Sequence, residues 1–335
     1  MRCGATCDSL RHMGDFTVLV LANPAERQLA MLEQLPEGTT IAVGERVEAF
    51  ERAAPDAEVI FNWSGSGDLL RAAFRICPRV RWVHTRSAGL DGLLFPELVA
   101  SGVALTNGTG VFSDSLGEFA LAGILFFAKD LRRMIHNQEA GKWEQFDVAE
   151  IAGQTLGIVG YGDIGRAAAA RACAMGMRVM AVKRHPLPAG VTDTFAERIF
   201  TPENMGEMIA ISDYVLAAAP LTPETRGLIG EPEFAAMKPS AVVINIGRGP
   251  VIDESAMLRA LKGRRIRGAV LDVFDAEPLP EGHPFFGMDN VLLSPHTADH
   301  TGDWLERAMQ FFLDNFARFS NGRPLLNLVN KELGY

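Results

Sequence analysis

The sequence predicts an α/β protein with two domains, each built around a doubly wound parallel sheet. The chain has 335 residues, which is above the ~250–300 residues at which a single hydrophobic core usually stops growing. Two series of short β-branched runs follow one another along the chain, and helical stretches separate the runs within each series. Strands that alternate with helices are typical of parallel βαβ units.

Composition and charge narrow the class of protein. Hydrophobic residues make up 48% of the chain and charged residues 22%, which is typical of a globular protein and not of a disordered chain. Lysine and arginine number 32 against 41 aspartate and glutamate, so the net charge is −9. Because a net negative surface repels anionic polymers and lipids, we expect no nucleic-acid partner and no membrane partner.

No segment predicts a membrane span or a metal site. The longest apolar run, at residues 119–128, is far shorter than the ~20 residues that a membrane helix needs. The 4 cysteines show no paired C-x-x-C spacing. We therefore expect reduced thiols, no metal and a cytoplasmic location.

The first series of runs occupies residues 16–108. Its runs are rich in valine, isoleucine and leucine, and the first is followed by Asn23 and Pro24, which predict a turn and then a helix. We predict strands at 16–22, 41–43, 59–61, 80–83 and 103–105. The helical stretches between them favour parallel pairing in one open sheet.

An apolar helix separates the two series. Ser113 or Asp114 is expected to cap this helix, and apolar residues recur at helical spacing from Leu116 to Leu131. Further strands are predicted at 155–159, 178–182, 214–218, 242–246, 267–273 and 291–293. These six strands with helical connections form a doubly wound sheet. The tail is predicted helical from about Trp304, and residues 324–328 are expected to pack back onto the first domain.

A glycine-rich loop in the second series predicts a dinucleotide site. Gly160, Gly162 and Gly165 form G-x-G-x-x-G directly after a predicted strand and before an alanine-rich helix. The first glycine permits a tight turn, the second lets the backbone approach a pyrophosphate, and the third lets helix and strand pack closely. The helix N-terminus then offers N–H groups and a positive dipole end to the phosphates.

The end of the next strand indicates which dinucleotide is bound. An NAD site usually has Asp or Glu there, about 20 residues beyond the loop, as an acceptor for the ribose 2′-hydroxyl. This chain has Lys183 and Arg184 instead. These cations attract a 2′-phosphate, so we expect NADP(H) to be preferred over NAD(H).

Three charged or titratable residues follow the last three predicted strands. Arg248 lies in a glycine-flanked turn, Glu277 in a proline-rich loop, and His296 directly after Pro295. Ligands bind at the carboxyl ends of strands in open α/β sheets. The three side chains are therefore expected to form one active site.

At these motifs the sequence resembles the D-isomer-specific 2-hydroxyacid dehydrogenase family, and the resemblance extends to residues 87–91 and 220–227. It implies a Rossmann coenzyme domain, residues 114–304, inserted into a flavodoxin-like substrate domain of residues 1–113 plus 305–335. It also implies a homodimer joined through the coenzyme domains and the reversible reduction of 2-keto acids to D-2-hydroxy acids.

The resemblance further implies residue roles. It makes Arg248, Glu277 and His296 catalytic, and it assigns the substrate carboxylate to Arg248 and to the loop of Ser87, Ala88 and Gly89. The coenzyme residues that we expect are Gly160, Gly162, Asp163, Ile164, Gly165, Lys183, Arg184, Pro220, Thr225 and Asp272.

The chemistry of the three residues agrees with these roles. Reduction of a keto acid needs a proton for the carbonyl oxygen, and histidine exchanges protons near neutral pH. A carboxylate on the second ring nitrogen of His296 would favour the imidazolium form and fix the ring. Arg248 can hold the substrate carboxylate with forked donors and polarise the carbonyl group.

The sequence therefore predicts an NADP(H)-preferring reductase of glyoxylate, hydroxypyruvate or a similar small 2-keto acid. A D-3-phosphoglycerate dehydrogenase is the nearest enzymatic alternative, and a non-catalytic dinucleotide-sensing corepressor is the alternative from another class. Asp299 and His300 follow His296 where many relatives carry a small residue in place of Asp299. This departure bears on the choice of substrate.

Overall fold

The computed structural model describes residues 16–185 and 191–335, and the chain divides into two compact units. The first unit contains the described residues up to Val111 together with Leu305–Tyr335, and the second is Phe112–Trp304. Cys77 and Cys173 are free thiols, whereas Cys3 and Cys7 lie outside the described residues.

The first unit contains a five-stranded sheet in which all paired strands run parallel. Its strands are Thr17–Leu21 (β1), Thr40–Gly44 (β2), Val59–Asn62 (β3), Trp82–Thr85 (β4) and Ala104–Thr106 (β5). They lie in the order β2-β1-β3-β4-β5, which confirms the flavodoxin-like prediction. Residues 18–21 of β1 are fully buried, as expected for a parallel strand covered on both faces.

The connections in this unit are less regular than predicted. Gly67–Ile76 (α1) and Pro96–Val99 (α2) are α-helices, but the segments on either side of β2 are 3₁₀ turns at Arg27–Gln34, Val47–Phe50 and Ala54–Asp56. The helix predicted after β1 is thus 3₁₀ and not α. Pro24 and Pro36 bound that connection, and 3₁₀ turns are the usual form of such short connectors.

The second unit contains a seven-stranded parallel sheet in the order β8-β7-β6-β9-β10-β11-β12. Its strands are Thr155–Val159 (β6), Arg178–Val182 (β7), Arg198–Phe200 (β8), Tyr214–Ala217 (β9), Val242–Asn245 (β10), Gly268–Leu271 (β11) and Val291–Leu293 (β12). This is the Rossmann order with one strand added at the edge. The prediction of six strands missed β8, whose three residues contain no periodic apolar run to recognise.

The helices of this unit are Ser113–Ala128 (α3), Leu131–Glu139 (α4), Asp163–Ala174 (α5), Met205–Ile211 (α6), Glu231–Ala236 (α7) and Glu254–Lys262 (α8). The last helix, Trp304–Ser320 (α9), belongs to the first unit from Leu305 onward, and its Phe312 stacks on Phe61 of β3. Among the described residues, no helix combines the length and apolar character needed to cross a membrane.

The start and end of α3 both differ from the prediction. Phe112 occupies the N-cap position without a side-chain cap, so Ser113 and Asp114 lie inside the first turn. The helix ends at Ala128, because Asp130 adopts a left-handed conformation with φ +48°. Leu131 therefore begins a second helix although its spacing from the earlier apolar residues is helical.

The C-terminal segment packs onto the first unit as predicted. Leu328 forms an antiparallel bridge with Thr106 at the edge of the sheet. Lys331 Nζ donates to the carbonyl oxygens of Leu98, Ser101 and Val103, at 3.0, 2.7 and 2.9 Å. The ammonium group therefore links the C-terminal segment to the backbone from α2 to the start of β5.

His84 lies in the aromatic core of the first unit and not in a ligand pocket. Its Nδ1 is 2.7 Å from Thr106 Oγ1, and its ring is 5.5 Å from that of Phe61 and 5.7 Å from that of Phe312. Burial lowers the pKa of His84 to about 3. The folded protein therefore holds this imidazole in its neutral form.

His84 should make the stability of the protein pH-dependent. The unfolded chain protonates it near the ordinary value of about 6.5, and the folded chain does so only near 3. The free energy of unfolding should therefore decrease as the pH falls below about 6.5, by ~1.4 kcal/mol per pH unit from this residue. Urea unfolding at several pH values measures this dependence. The free energy of unfolding should fall less steeply with decreasing pH in His84→Asn than in the wild type. Equal pH dependence in the two proteins would contradict a neutral, buried His84.

Candidate active site

The glycine-rich loop joins β6 to α5, and packing requires two of its glycines. Gly160 has φ +97°, and a Cβ there would lie 2.3 Å from the backbone nitrogen of Ala219. A Cβ on Gly165 would lie 2.6 Å from the carbonyl oxygen of Gly160. No side chain fits at either position, which agrees with the tight turn and the close helix packing that the sequence predicts.

Gly162 differs from these two glycines, because a Cβ built on it would meet nothing within 4 Å. It is the N-cap of α5 and supplies no side-chain cap. The first N–H groups of the helix, from Asp163, Ile164 and Gly165, have no partners within the helix. A small residue beside an uncapped helix N-terminus fits the pyrophosphate of a dinucleotide.

The end of β7 carries the two cations predicted to select the coenzyme. Lys183 is exposed and Arg184 is half-buried. Arg184 Nη2 lies 3.5 Å from Glu224 Oε2. A hydrogen bond from Thr222, and more weakly the charge of Arg184, lower the pKa of Glu224. Arg184 is thus held beside the loop that follows β9.

That loop contains Pro220 and Thr225. Thr225 Oγ1 donates to the carbonyl oxygen of Pro220 at 2.6 Å, and the N–H of Thr222 donates to Thr225 Oγ1 at 2.8 Å. Ala219, at the start of the loop, contacts Gly160. The structure therefore brings the predicted coenzyme residues at 160–165, 184 and 220–225 to one edge of the sheet.

A buried carboxylate near this edge was not found from the sequence. Asp193 accepts hydrogen bonds from the Tyr161 hydroxyl at 2.6 Å, from the Arg166 guanidinium, and from the N–H groups of Phe195 and Ala196. It ties the segment between β7 and β8 to the glycine-rich loop. Asp193 lies in an irregular stretch, where no sequence pattern signals such a role.

Arg248 follows β10 in a turn that Asn245 supports. Asn245 Nδ2 donates to the carbonyl oxygen of Arg248 at 3.1 Å, and the N–H of Gly247 donates to Asn245 Oδ1 at 3.2 Å. A Cβ on Gly249 would lie 2.0 Å from the carbonyl carbon of Phe274. The turn that carries Arg248 therefore packs directly against the backbone leading to Glu277.

Glu277 and His296 are hydrogen-bonded to each other. Glu277 Oε2 lies 2.6 Å from His296 Nδ1, and Glu277 Oε1 accepts from the N–H of Phe274 at 2.9 Å. The carboxylate is therefore fixed at both oxygens. Because Nδ1 is engaged with Glu277, Nε2 is the nitrogen with which His296 can exchange a proton with a ligand.

The backbone of the loop that carries His296 is also held by hydrogen bonds to Asp272. His296 has φ +54°, a left-handed conformation that is uncommon for residues other than glycine. Asp272 is 1% exposed, and its Oδ1 accepts from the N–H groups of Thr297 and Ala298 at 3.0 and 3.1 Å. The sequence suggests either a coenzyme contact or a strand-end turn for Asp272, and the structure shows these two hydrogen bonds to the loop.

The residues after His296 form a small cluster of their own. His300 Nε2 is 3.7 Å from Asp299 Oδ1. The ring of His300 stacks on that of Trp304, with centroids 4.5 Å apart and an interplanar angle of 3°.

The predicted substrate loop follows β4 in the first unit. Its three carbonyl oxygens accept hydrogen bonds: that of Ser87 from Gly108 N–H, that of Ala88 from Asn107 Nδ2, and that of Gly89 from Ser87 Oγ. Asn107 was not found from the sequence, although a polar residue directly after β5 is a usable signal. The other predicted site residues belong to the second unit.

Comparison with known proteins agrees with this arrangement. The chain matches the family model of the D-isomer specific 2-hydroxyacid dehydrogenase NAD binding domain over residues 121–298. It is also 35% identical over 269 residues to a glyoxylate reductase of Thermococcus gammatolerans, which covers 78% of this chain and 79% of that protein.

Solved structures share the fold. A D-isomer specific 2-hydroxyacid dehydrogenase of Xanthobacter autotrophicus Py2, in complex with NADPH and MES, has a TM-score of 0.81 and 29% identity, covering 96% of this chain and 100% of that one. An NADPH-dependent glyoxylate/hydroxypyruvate reductase of Sinorhizobium meliloti, in complex with NADP and sulfate, has a TM-score of 0.82, 26% identity and the same coverage. The match over the nucleotide-binding unit, together with the likeness along the whole chain, shows that the protein belongs to the D-isomer specific 2-hydroxyacid dehydrogenase family.

Proposed function

We propose that the protein reduces a small 2-keto acid, such as glyoxylate or hydroxypyruvate, to the D-2-hydroxy acid with NADPH as the preferred coenzyme. The observation that carries the proposal is the Glu277–His296 hydrogen bond of 2.6 Å at the carboxyl edge of the sheet that bears the glycine-rich loop. The activities named for the Thermococcus and Sinorhizobium relatives support this substrate class.

His296 acts as the proton donor. A reduced nicotinamide coenzyme, held at the loop of Gly160, Gly162 and Gly165, would supply a hydride for the carbonyl carbon of the substrate. His296 then delivers a proton from Nε2 to the carbonyl oxygen, which becomes the new hydroxyl group. Glu277 holds the ring at Nδ1 and so directs Nε2 to the substrate. In the oxidative direction the neutral ring takes the proton back.

Arg248 binds and polarises the substrate. Its guanidinium can donate two parallel hydrogen bonds to a carboxylate or to a carboxylate and the adjacent carbonyl oxygen. Its charge stabilises the oxygen as negative charge develops during hydride transfer. The Asn245 contacts and the close approach of Gly249 to Phe274 support this role, because they fix the turn that carries the guanidinium.

The loop of Ser87, Ala88 and Gly89 receives the substrate carboxylate through backbone N–H groups. Its carbonyl oxygens already accept hydrogen bonds from Asn107, Gly108 and Ser87. The N–H groups of the loop can therefore donate to a carboxylate, while its carbonyl oxygens are already engaged. On this proposal the unit formed by both ends of the chain is the substrate domain, and Phe112–Trp304 is the coenzyme domain.

Replacement of Arg248 tests the catalytic assignment. With NADPH and a panel of 2-keto acids that includes 3-phosphohydroxypyruvate, Arg248→Ala should lower kcat/KM by roughly 10²-fold to 10³-fold, since both binding and polarisation are lost. Arg248→Lys should retain part of the rate. Initial rates of NADPH consumption measure this.

Arg259→Ala is the matched control, because Arg259 lies on α8 and pairs with Glu231 at the surface. It should leave the rate unchanged. If the wild type consumes NADPH at the background rate with every acid, the enzyme assignment fails and the corepressor alternative gains support. If Arg248→Ala keeps more than half of the activity, the role of Arg248 is wrong.

Lys183 and Arg184 account for the proposed coenzyme preference. Each can form a charge-assisted bond to a 2′-phosphate, and no carboxylate ends β7 to accept from a 2′-hydroxyl. Lys183→Asp combined with Arg184→Ser should lower the ratio of kcat/KM for NADPH to that for NADH by about 10-fold to 100-fold. Steady-state kinetics with both coenzymes measure the ratio.

The double variant Lys262→Asp with Arg259→Ser makes the same change in net charge on the exposed side of α8. It should leave the ratio as in the wild type, which separates a local effect from a change in overall charge. An unaltered ratio in the Lys183 and Arg184 variant would rule out this account of the strand end.

The coenzyme domain also carries the surface on which we expect the chain to dimerise. Ile135 on α4 is 50% exposed, Trp143 is 94% exposed and Val148 is 49% exposed. Exposed apolar side chains grouped along one segment are typical of a protein interface. A second copy of this chain is the expected partner.

Ile135→Ser combined with Trp143→Ser should convert a dimer to a monomer, because it removes two large apolar side chains from the interface. Light scattering coupled to size-exclusion chromatography measures the mass. Phe286→Ser, which removes an apolar side chain that is 61% exposed elsewhere in the same domain, should leave the dimer intact. A monomeric wild type would disprove the proposed assembly.

A further inference from the structure

Two serines in the first turn of α3 contact two different loops of the active site. The Ser113 hydroxyl donates to a carboxylate oxygen of Asp163, the first residue of α5. Ser115 Oγ donates to the carbonyl oxygen of Ala298 at 2.6 Å. Residues two positions apart are separated by about 200° around a helix axis, so the two hydroxyls can serve loops on different sides.

The loop that carries His296 needs such a restraint. A residue other than glycine is uncommon in the left-handed region and persists there only where the surroundings impose it. Asp272 holds the N–H groups of Thr297 and Ala298, and Glu277 holds the ring of His296. Both of these residues follow β11. Ser115 adds a contact from a helix: Asp272 holds the N–H of Ala298, and Ser115 holds the carbonyl oxygen of the same residue.

The helix that carries Ser115 is itself firmly placed. A Cβ on Gly117 would lie 3.0 Å from the carbonyl carbon of Ala167, so α3 packs backbone to backbone against α5. A Cβ on Gly123 would lie 2.8 Å from the side chain of Val270, so α3 also packs closely on β11. A shift of α3 would therefore open contacts on two sides.

We propose that Ser115 is a positioning residue for the reduction: it holds Ala298 so that His296 keeps its place relative to the glycine-rich loop, which Ser113 secures through Asp163. The inference rests on the proposed function, because it assigns Ser115 a role in the same reaction. The hydride donor depends on the glycine-rich loop and the proton donor on the His296 loop. One turn of α3 sets the spacing between the two loops.

This spacing matters because hydride and proton must reach adjacent atoms of one carbonyl group. A misplacement of about 1 Å in such a site can lower the rate by about 10²-fold. Loss of the Ser115 hydroxyl leaves the Ser113–Asp163 contact in place and removes one of the restraints on the loop that carries the proton donor. The expected defect is therefore in kcat and not in coenzyme binding.

Ser115→Ala tests the proposal. The variant should lower kcat by roughly 10-fold to 100-fold, while the Kd for NADPH, measured by fluorescence titration, stays within about twofold of the wild type. Alanine is the best helix former, so the melting temperature should not fall enough to explain the loss. Ser115→Thr keeps a hydroxyl at this position and should restore most of kcat. Ser240→Ala, at an exposed position outside the site, should match the wild type.

A second measurement does not require turnover. NMR of the isotope-labelled histidine rings in the free protein should show the His296 resonances displaced in Ser115→Ala and returned by Ser115→Thr. If the wild type reduces no keto acid, the proposed function fails while this measurement still reports on the contact. The positioning role is overturned if Ser115→Ala matches the wild type in kcat and in the His296 resonances, or if Ser115→Thr restores neither.

Discussion

The hydrogen bond between Glu277 and His296 is the interaction on which the rest of the site depends. At 2.6 Å it fixes the imidazole through Nδ1 and leaves Nε2 for the substrate. The backbone of His296 is left-handed, and Asp272 accepts hydrogen bonds from the next two N–H groups. The left-handed turn is thus held by the carboxylate of Asp272, and the imidazole ring is held by the carboxylate of Glu277.

The parallel sheet explains why residues so distant in the chain act together. Arg248, Glu277 and His296 follow β10, β11 and β12, which are neighbours in the second sheet. Parallel strands end at the same edge, so each loop emerges beside the next. Because Gly249 has no Cβ, the loop that carries Arg248 can pack directly against the backbone of Phe274. The same edge carries the glycine-rich loop after β6, so this loop and the three side chains lie at one edge of the sheet.

Local sequence patterns predicted the strands well where the whole strand is apolar and buried. They failed where the backbone conformation of one residue decides where a helix ends. The bounds of β6, β7 and β12 agree with the sequence prediction to the residue, because their runs are apolar and end at glycine, lysine or polar residues. β8 was missed because three residues carry no period. The end of α3 before Leu131 was missed because apolar residues keep their helical spacing up to Leu131. The backbone of Asp130 is left-handed, so the helix does not continue through it.

The sequence by itself determined the fold class, the position of the glycine-rich loop, the family resemblance and the catalytic candidates, since these depend on residue type and spacing along the chain. Only the tertiary structure decided which partners each side chain meets: Asp272 with the N–H groups of Thr297 and Ala298, Ser115 with Ala298, and Arg184 with Glu224. The physical reason is that these contacts join segments up to 183 residues apart. Their geometry follows from helix and strand packing, which no local pattern records.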